Sequence, residues 1–268
     1  MAVVPLPLTE TGTSTLSGED AGATVRRSVL PGGVRVLTES VPGLRSVTVG
    51  AWVDVGSRDE ADGHHGSTHF LEHLLFKGTA RRSAMDIAEA FDAVGGESNA
   101  ATGKEHTTYY ARVLDTDVPM AVDVIADMVT SATLTEADVD SERGVILEEL
   151  AMNDDDPTDV AHERFAEQVF GPGTPLGRPI GGTAQTILDV PREAVWEHYR
   201  EHYDAPGLVV TAAGGLEHDG VCRLVADALA RAGWDGAPGD PRPRRSTGPA
   251  PTPVAGGVLT VDLSLIHI

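Results

Sequence analysis

A single cysteine, Cys222, stands among 268 residues, so no intrachain disulfide can form. It sits in the apolar stretch 221–229, where a thiol is expected to be buried and inert. Basic residues are scarce too: 20 Lys and Arg face 41 Asp and Glu, a formal net charge of −21. Nucleic acids and anionic membranes need positive charge on the protein, so neither is an expected partner. The acidity is compatible with a cationic peptide substrate, although it more often only keeps a protein soluble. No apolar window reaches transmembrane length. Residues 1–24 lack the basic start and apolar core of a secretory signal, and the arginines of a mitochondrial presequence. Their Thr, Ser, Gly and Pro predict a flexible lead, and the protein is expected to be cytoplasmic.

What is present begins with 41% apolar residues, enough for a proper core in one large domain or two small ones. Alternating patterns predict strands at 26–30, 34–39, 46–55, 97–102, 107–114 and 208–213. Helical spacing predicts helices at 67–76, 83–94, 118–130, 135–152, 158–170, 192–202 and 219–231. Consecutive strands with short turns give an α+β fold, a largely antiparallel sheet with helices packed on it.

The sharpest signal is His69-Phe70-Leu71-Glu72-His73. Residues i and i+4 of a helix share one face, so both imidazoles can reach one metal ion. The order H-x-x-E-H is the inverzincin signature. Taken alone, it is also what a surface helix with two solvated histidines would show. Gly66 and Ser67 offer a start and Gly78 a stop, while Phe70, Leu71, Leu74 and Leu75 make a short apolar helix that belongs in a core. Two histidines and a carboxylate on a buried helix need partners, and a metal would satisfy them.

Catalytic zinc commonly takes three protein ligands and keeps one position for water. The helix at 135–152, with Thr135 as N-cap, is the place to look for the third. Glu142 and Glu149 lie two turns apart on one face, whereas Glu148 points elsewhere. A charged helix face is more commonly just wet, so these glutamates do not identify themselves.

The run from Gly66 to Thr79, Gly-Ser-Thr-His-Phe-Leu-Glu-His-Leu-Leu-Phe-Lys-Gly-Thr, resembles the active-site helix of the pitrilysin/insulinase family. It is most similar to the branch of the mitochondrial processing peptidase and its bacterial relatives. Trp52–Glu60, Asn99–Val113 and Pro175–Ile180 agree in order and spacing, and the resemblance runs from about Val25 to Trp234. It implies a zinc endopeptidase with one Zn²⁺ held by His69, His73 and Glu149. Glu149 follows His73 by 76 positions, the separation the family uses. It makes Glu72 the general base and Glu142 the second glutamate that orients a ligand histidine.

The resemblance also implies that 97–102 is an edge strand pairing with the main chain of an extended peptide substrate, with Asn99 and Ala100 as contacts. Phe76 matches the pocket for the residue after the scissile bond, though core packing explains it equally well. Asp159 and Glu163 could receive a basic residue upstream of the cut. His64 and His65, in the loop before the helix, are expected to be solvated and no part of the site. The family also contains non-catalytic partner subunits that have lost ligands; here all five acid and imidazole positions are present.

Residues 235–257 read as a Pro/Gly-rich linker and Val258–Asp262 as the first strand of a second, similar α/β domain. The last six residues, Leu263–Ile268, match one translated frame of a common sequencing adapter, so the native chain is expected to continue past Asp262. The resembled family completes its chamber, and the groups that stabilise the oxyanion, with that second domain and a partner half. The fragment is expected to bind zinc and to cleave peptides poorly alone.

Overall fold

The computed structural model describes residues 12–17, 22–235, 240–243 and 257–261. Among these described residues seven strands form one sheet: β1 (Gly12–Ser17), β2 (Thr24–Val29), β3 (Arg35–Ser40), β4 (Ser46–Val53), β5 (Glu97–Thr102), β6 (Thr107–Leu114) and β7 (Leu208–Gly214). Their order is β1-β2-β3-β7-β4-β6-β5, and only the β3–β7 pairing is parallel. The expected α+β fold with a largely antiparallel sheet is therefore what the chain adopts. The helices are α1 (Ser67–Leu75), α2 (Ala84–Asp92), α3 (Val118–Ser131), α4 (Glu136–Asp155), α5 (Pro157–Phe170), α6 (Ala184–Asp189), α7 (Arg192–His202) and α8 (His218–Arg231).

Alternation sets the faces of the sheet. Along β4, Val47, Val49 and Val53 turn inward, and Tyr109, Ala111 and Val113 do the same along β6. Helix α3 covers these strands and packs on α8, with Val122, Ile125, Met128 and Val129 buried. Helix α1 is wedged between α4, α7 and β5. Phe70, Leu71, Leu74 and Leu75 are fully buried. At roughly 1.5–3 kcal/mol per side chain, these four contribute on the order of 6–12 kcal/mol before entropic costs. That burial leaves the other side of the helix facing α4.

Four details differ from the sequence expectation. Part of the supposed flexible lead, 12–17, is an edge strand on β2, tied there by Thr13 Oγ1 to Ser28 Oγ at 2.7 Å and by Arg27 Nη2 donating to Ser14 Oγ. Helix α6 was not foreseen; Thr183 caps it through the Thr186 amide. Val145, which helical spacing groups with Val139, Ile146, Leu147 and Leu150 on an apolar face of α4, is exposed. Residues 257–261, which include most of the expected strand Val258–Asp262, carry no strand, and Asp262 lies outside the described residues. Within the expected linker, Arg242 pairs with Asp204 at 2.5 Å. The adapter-like residues 263–268 lie outside the described residues. No helix among the described residues is long and apolar enough to cross a membrane.

Candidate metal centre

Helix α1 begins at Gly66, whose φ of 94° suits glycine and which offers no side-chain cap. The cap comes from further away. The Glu60 carboxylate accepts from the amides of Gly66 at 2.9 Å and Thr68 at 2.8 Å. Burial pushes Glu60 up to about 6, against the downward pull of these bonds and of Arg178. Thr68 Oγ1 also meets His198 Nε2 at 3.0 Å.

From that anchored turn, His69 and His73 project toward α4. Their Nε2 atoms are 3.3 Å apart. Glu149 brings one carboxylate oxygen to 3.5 Å from His69 Nε2 and the other to 3.3 Å from His73 Nε2. Ligand atoms on a tetrahedral ion with bonds of about 2.0–2.1 Å stand roughly 3.3–3.4 Å apart. The two ring nitrogens thus have the spacing of two corners around one ion, and the Glu149 carboxylate sets one oxygen beside each of them. Among the described residues this is the only group of three or more His, Cys, Asp or Glu that could hold a metal.

Protonation follows the same geometry. Burial pulls the His69 imidazolium down, but the hydrogen bond and charge of Glu149, with Glu72 and Glu60 behind it, leave it above the ordinary histidine value. The bond from His69 holds Glu149 below the usual carboxylate value, against burial. This donor set favours positive charge at its centre. His69 Nδ1 is buried without a hydrogen-bond partner, where a Cβ on Gly181 would sit 3.7 Å away.

The remaining expected residues divide. Glu142, 4% exposed, faces His73 Nδ1 at 3.2 Å and Lys77 Nζ at 2.6 Å. A carboxylate there can accept from Nδ1–H, which leaves the His73 Nε2 facing His69 and Glu149. Glu72 accepts a hydrogen bond from Thr102 Oγ1 of β5. Glu72 lines a cavity of about 410 Å³ together with His69, Ala101, Thr102, Glu149, Asp159 and Glu163. Burial and Asp154 raise Glu163 above its ordinary value.

Strand β5 is an edge of the sheet, and Asn99 Oδ1 accepts from the Ala100 amide at 2.8 Å. An amide spent on its neighbour's side chain is turned away from β6, so it marks the open side of the strand. Phe76 is half-buried against Tyr109, ring centres 6.3 Å apart, and does not line the cavity. His65 is bound to Arg178 at 2.8 Å and, like His64, is outside the metal trio. Cys222 is half-buried, 3.4 Å from His218 Nε2, and burial raises its thiol pKa.

Glu60, Thr102, Arg178 and His198 were given no role from sequence. Lys77 had a readable signal, four residues after His73 on the same face. Glu60, Thr102 and Arg178 fall within segments that carry the family resemblance, but the contacts of all four cross between loops and elements, so no local pattern showed their roles.

A family model described as insulinase (peptidase family M16) matches residues 35–184, from β3 into α6 and across the whole trio. The chain belongs to this family. Among M16 relatives, it is 54% identical over 218 residues to an uncharacterized zinc protease of Streptomyces coelicolor, covering 81% of this chain and 47% of the relative. It is 41% identical over 200 residues to a probable mitochondrial-processing peptidase subunit beta of Arabidopsis thaliana, covering 75% and 38%. The fold matches pitrilysin with a TM-score of 0.75 at 23% identity, over 91% of this chain and 26% of that one. A putative M16-like peptidase from Alicyclobacillus acidocaldarius gives 0.73 at 26% identity, over 85% and 54%. The chain spans about half the length, or less, of the relatives it matches.

Proposed function

We propose that this chain is the catalytic half of a zinc-dependent endopeptidase acting on extended peptides. The observation that carries the reading is the convergence of His69 Nε2, His73 Nε2 and the Glu149 carboxylate at 3.3–3.5 Å, with Glu72 on the same cavity wall. When bound, Zn²⁺ supplies Lewis acidity toward the scissile carbonyl and makes water acidic near neutrality.

The side chains do the rest. Glu72 takes the proton of the attacking water and hands it to the leaving amine. Thr102 Oγ1, bonded to Glu72, ties that base to the strand that receives the peptide. Glu142 accepts from His73 Nδ1–H and holds the tautomer. The open edge of β5 around Asn99 and Ala100 pairs with substrate main chain, which suits many sequences because it reads backbone. Asp159 and Glu163, on the same cavity, would take a basic side chain upstream of the cut.

A non-catalytic partner subunit is disfavoured by the intact donor set, since losing one ligand would suffice to make one. A second domain or partner half would close the chamber and supply the oxyanion donors, so this chain alone should turn over slowly.

The test pairs metal analysis with a quenched-peptide assay, on this chain and on one extended through its second half. One zinc per chain and chelator-sensitive cleavage by the longer protein are expected, and Glu72→Gln should keep the zinc while losing cleavage by roughly 10²–10⁴-fold. Full activity in that variant would refute the role of Glu72. Robust turnover by the short chain would refute its dependence on the second half.

A further inference from the structure

Three segments far apart in sequence meet behind the first turn of α1. Glu60, 6% exposed, holds that turn through the amides of Gly66 and Thr68. Arg178, also 6% exposed, donates Nη2 to the carbonyls of Ser57 at 3.2 Å and Glu60 at 3.4 Å, and its Nη1 meets His65 Nε2. The Arg178 carbonyl accepts from Lys104 Nζ in the β5–β6 turn. That turn is bonded again to the Glu60 loop, Ser57 N to Gly103 O at 3.1 Å and Arg58 N to Lys104 O at 3.0 Å.

The packing has no slack. A Cβ on Gly56 would lie 2.3 Å from the Lys104 carbonyl carbon, and one on Gly66 would lie 2.6 Å from the Gly181 oxygen. The hairpin carrying β5 and the helix carrying His69 and His73 therefore hang on the same few buried groups.

We propose that Glu60 and Arg178 are positioning residues, a buried brace that sets α1 against β5 so that the ligand histidines and the peptide-pairing edge keep one separation. Neither makes a hydrogen bond to the metal donors or to the open edge of β5; both grip backbone, and of the two only the Glu60 charge is also felt at His69. The proposal rests on the zinc-peptidase reading of the site. Glu60 carries the metal side of the brace, because both its carboxylate bonds end on the turn before His69. Arg178 carries both sides, because its guanidinium grips the Glu60 loop and so fixes the position of its own backbone carbonyl, which holds the hairpin through Lys104.

Two variants separate this from a plain contribution to stability. Glu60→Gln keeps the shape but sets an amide donor against a backbone donor. Arg178→Lys keeps the charge but loses the planar fork. Each is compared with wild type at a temperature where circular dichroism shows it folded. Zinc affinity is read by competition with a chromophoric chelator, and binding of a fluorescein-labelled extended peptide by anisotropy. Glu60→Gln is expected to weaken zinc about 10-fold or more and to leave peptide affinity within about 2-fold; Arg178→Lys should weaken both. A lowered melting temperature with both affinities unchanged in both variants would overturn the brace. If Glu60→Gln does not fold, Arg178→Lys decides alone by the same criterion. A wild-type chain that takes up no zinc would instead remove the reading of the site, and the brace with it.

Discussion

His198 should make the folded state sensitive to mild acid, and the effect can be isolated with one substitution. The ring is 8% exposed, with Nε2 on Thr68 Oγ1 in the first turn of α1. Burial, then the neighbouring His202, depress it to about 4, with Asp59 pulling weakly the other way. In the unfolded chain the same imidazole titrates at about 6.5. Between those values the unfolded chain binds a proton that the folded chain refuses. Stability contributed by the neutral ring is thus complete above about pH 6.5 and lost as pH falls toward 4. A gap of about 2.5 units at 1.36 kcal/mol per unit makes the loss about 3 kcal/mol.

Glu60 acts in the opposite sense. Its folded pKa of about 6 stands above the ordinary 4.5, so its ionisation costs stability as pH rises from about 4.5 to 6. That is about 2 kcal/mol over 1.5 units, and it masks part of the histidine slope in wild type. His198→Gln keeps a hydrogen-bonding group beside Thr68, cannot take a proton, and leaves Glu60 in place. Urea unfolding of both proteins, from pH 4 to 8 with chelator throughout, gives the difference curve. Wild type should lose about 3 kcal/mol more than His198→Gln between pH 6.5 and 4. Parallel curves across that window would refute the argument.

Other outcomes are accessible to routine measurement. Gly66→Ala places a side chain at φ 94° and a Cβ 2.6 Å from both the Gly181 oxygen and Ile187 Cδ1. Thermal melts should register a destabilisation of roughly 1–3 kcal/mol, and an unchanged melting temperature would mean the 181–187 segment yields freely. Glu142→Gln weakens the hold on His73 and removes the counter-charge of Lys77, so zinc affinity in chelator competition should fall about 10–100-fold. Saturating zinc at 100 times its dissociation constant should raise the stability of the apo chain by about 2.7 kcal/mol, and no shift in the urea midpoint would argue against a folded-state site.

Much of the site was legible because its signals are local or rest on fixed spacing. The two histidines share a helical face, and β5 and β6 begin and end where alternation put them. Glu149 was visible only through family spacing, since its helix face also carries ordinary surface acids. The supports were not legible. Glu60 caps α1 from across a loop, without the short S/T-x-x-E register that marks a capping box. His198 reaches Thr68 across 130 positions. Strand β1 hid because Thr and Ser hold it to β2 by hydroxyl contacts, so it lacks apolar alternation. Helix α6 hid because six residues are too few to show a period. Phe76 had two readings from sequence, a substrate pocket and core packing, and its place against Tyr109 fits the second.

The placement of β7 between β3 and β4 has a consequence for how the chain is made. One late strand joins two earlier groups, β1-β2-β3 on one side and β4-β6-β5 on the other. Both β3 and β4 therefore emerge from the ribosome with an edge that has no neighbour until Leu208–Gly214 arrives. At roughly 5–20 residues per second, the interval after β4 lasts about 8–30 s. During that time two sticky margins, one of them the valine-rich β4, depend on chaperones or on each other to avoid pairing with the wrong chain. Helices α1 and α4 are already synthesised by then, so His69, His73 and Glu149 can come together before the sheet is whole.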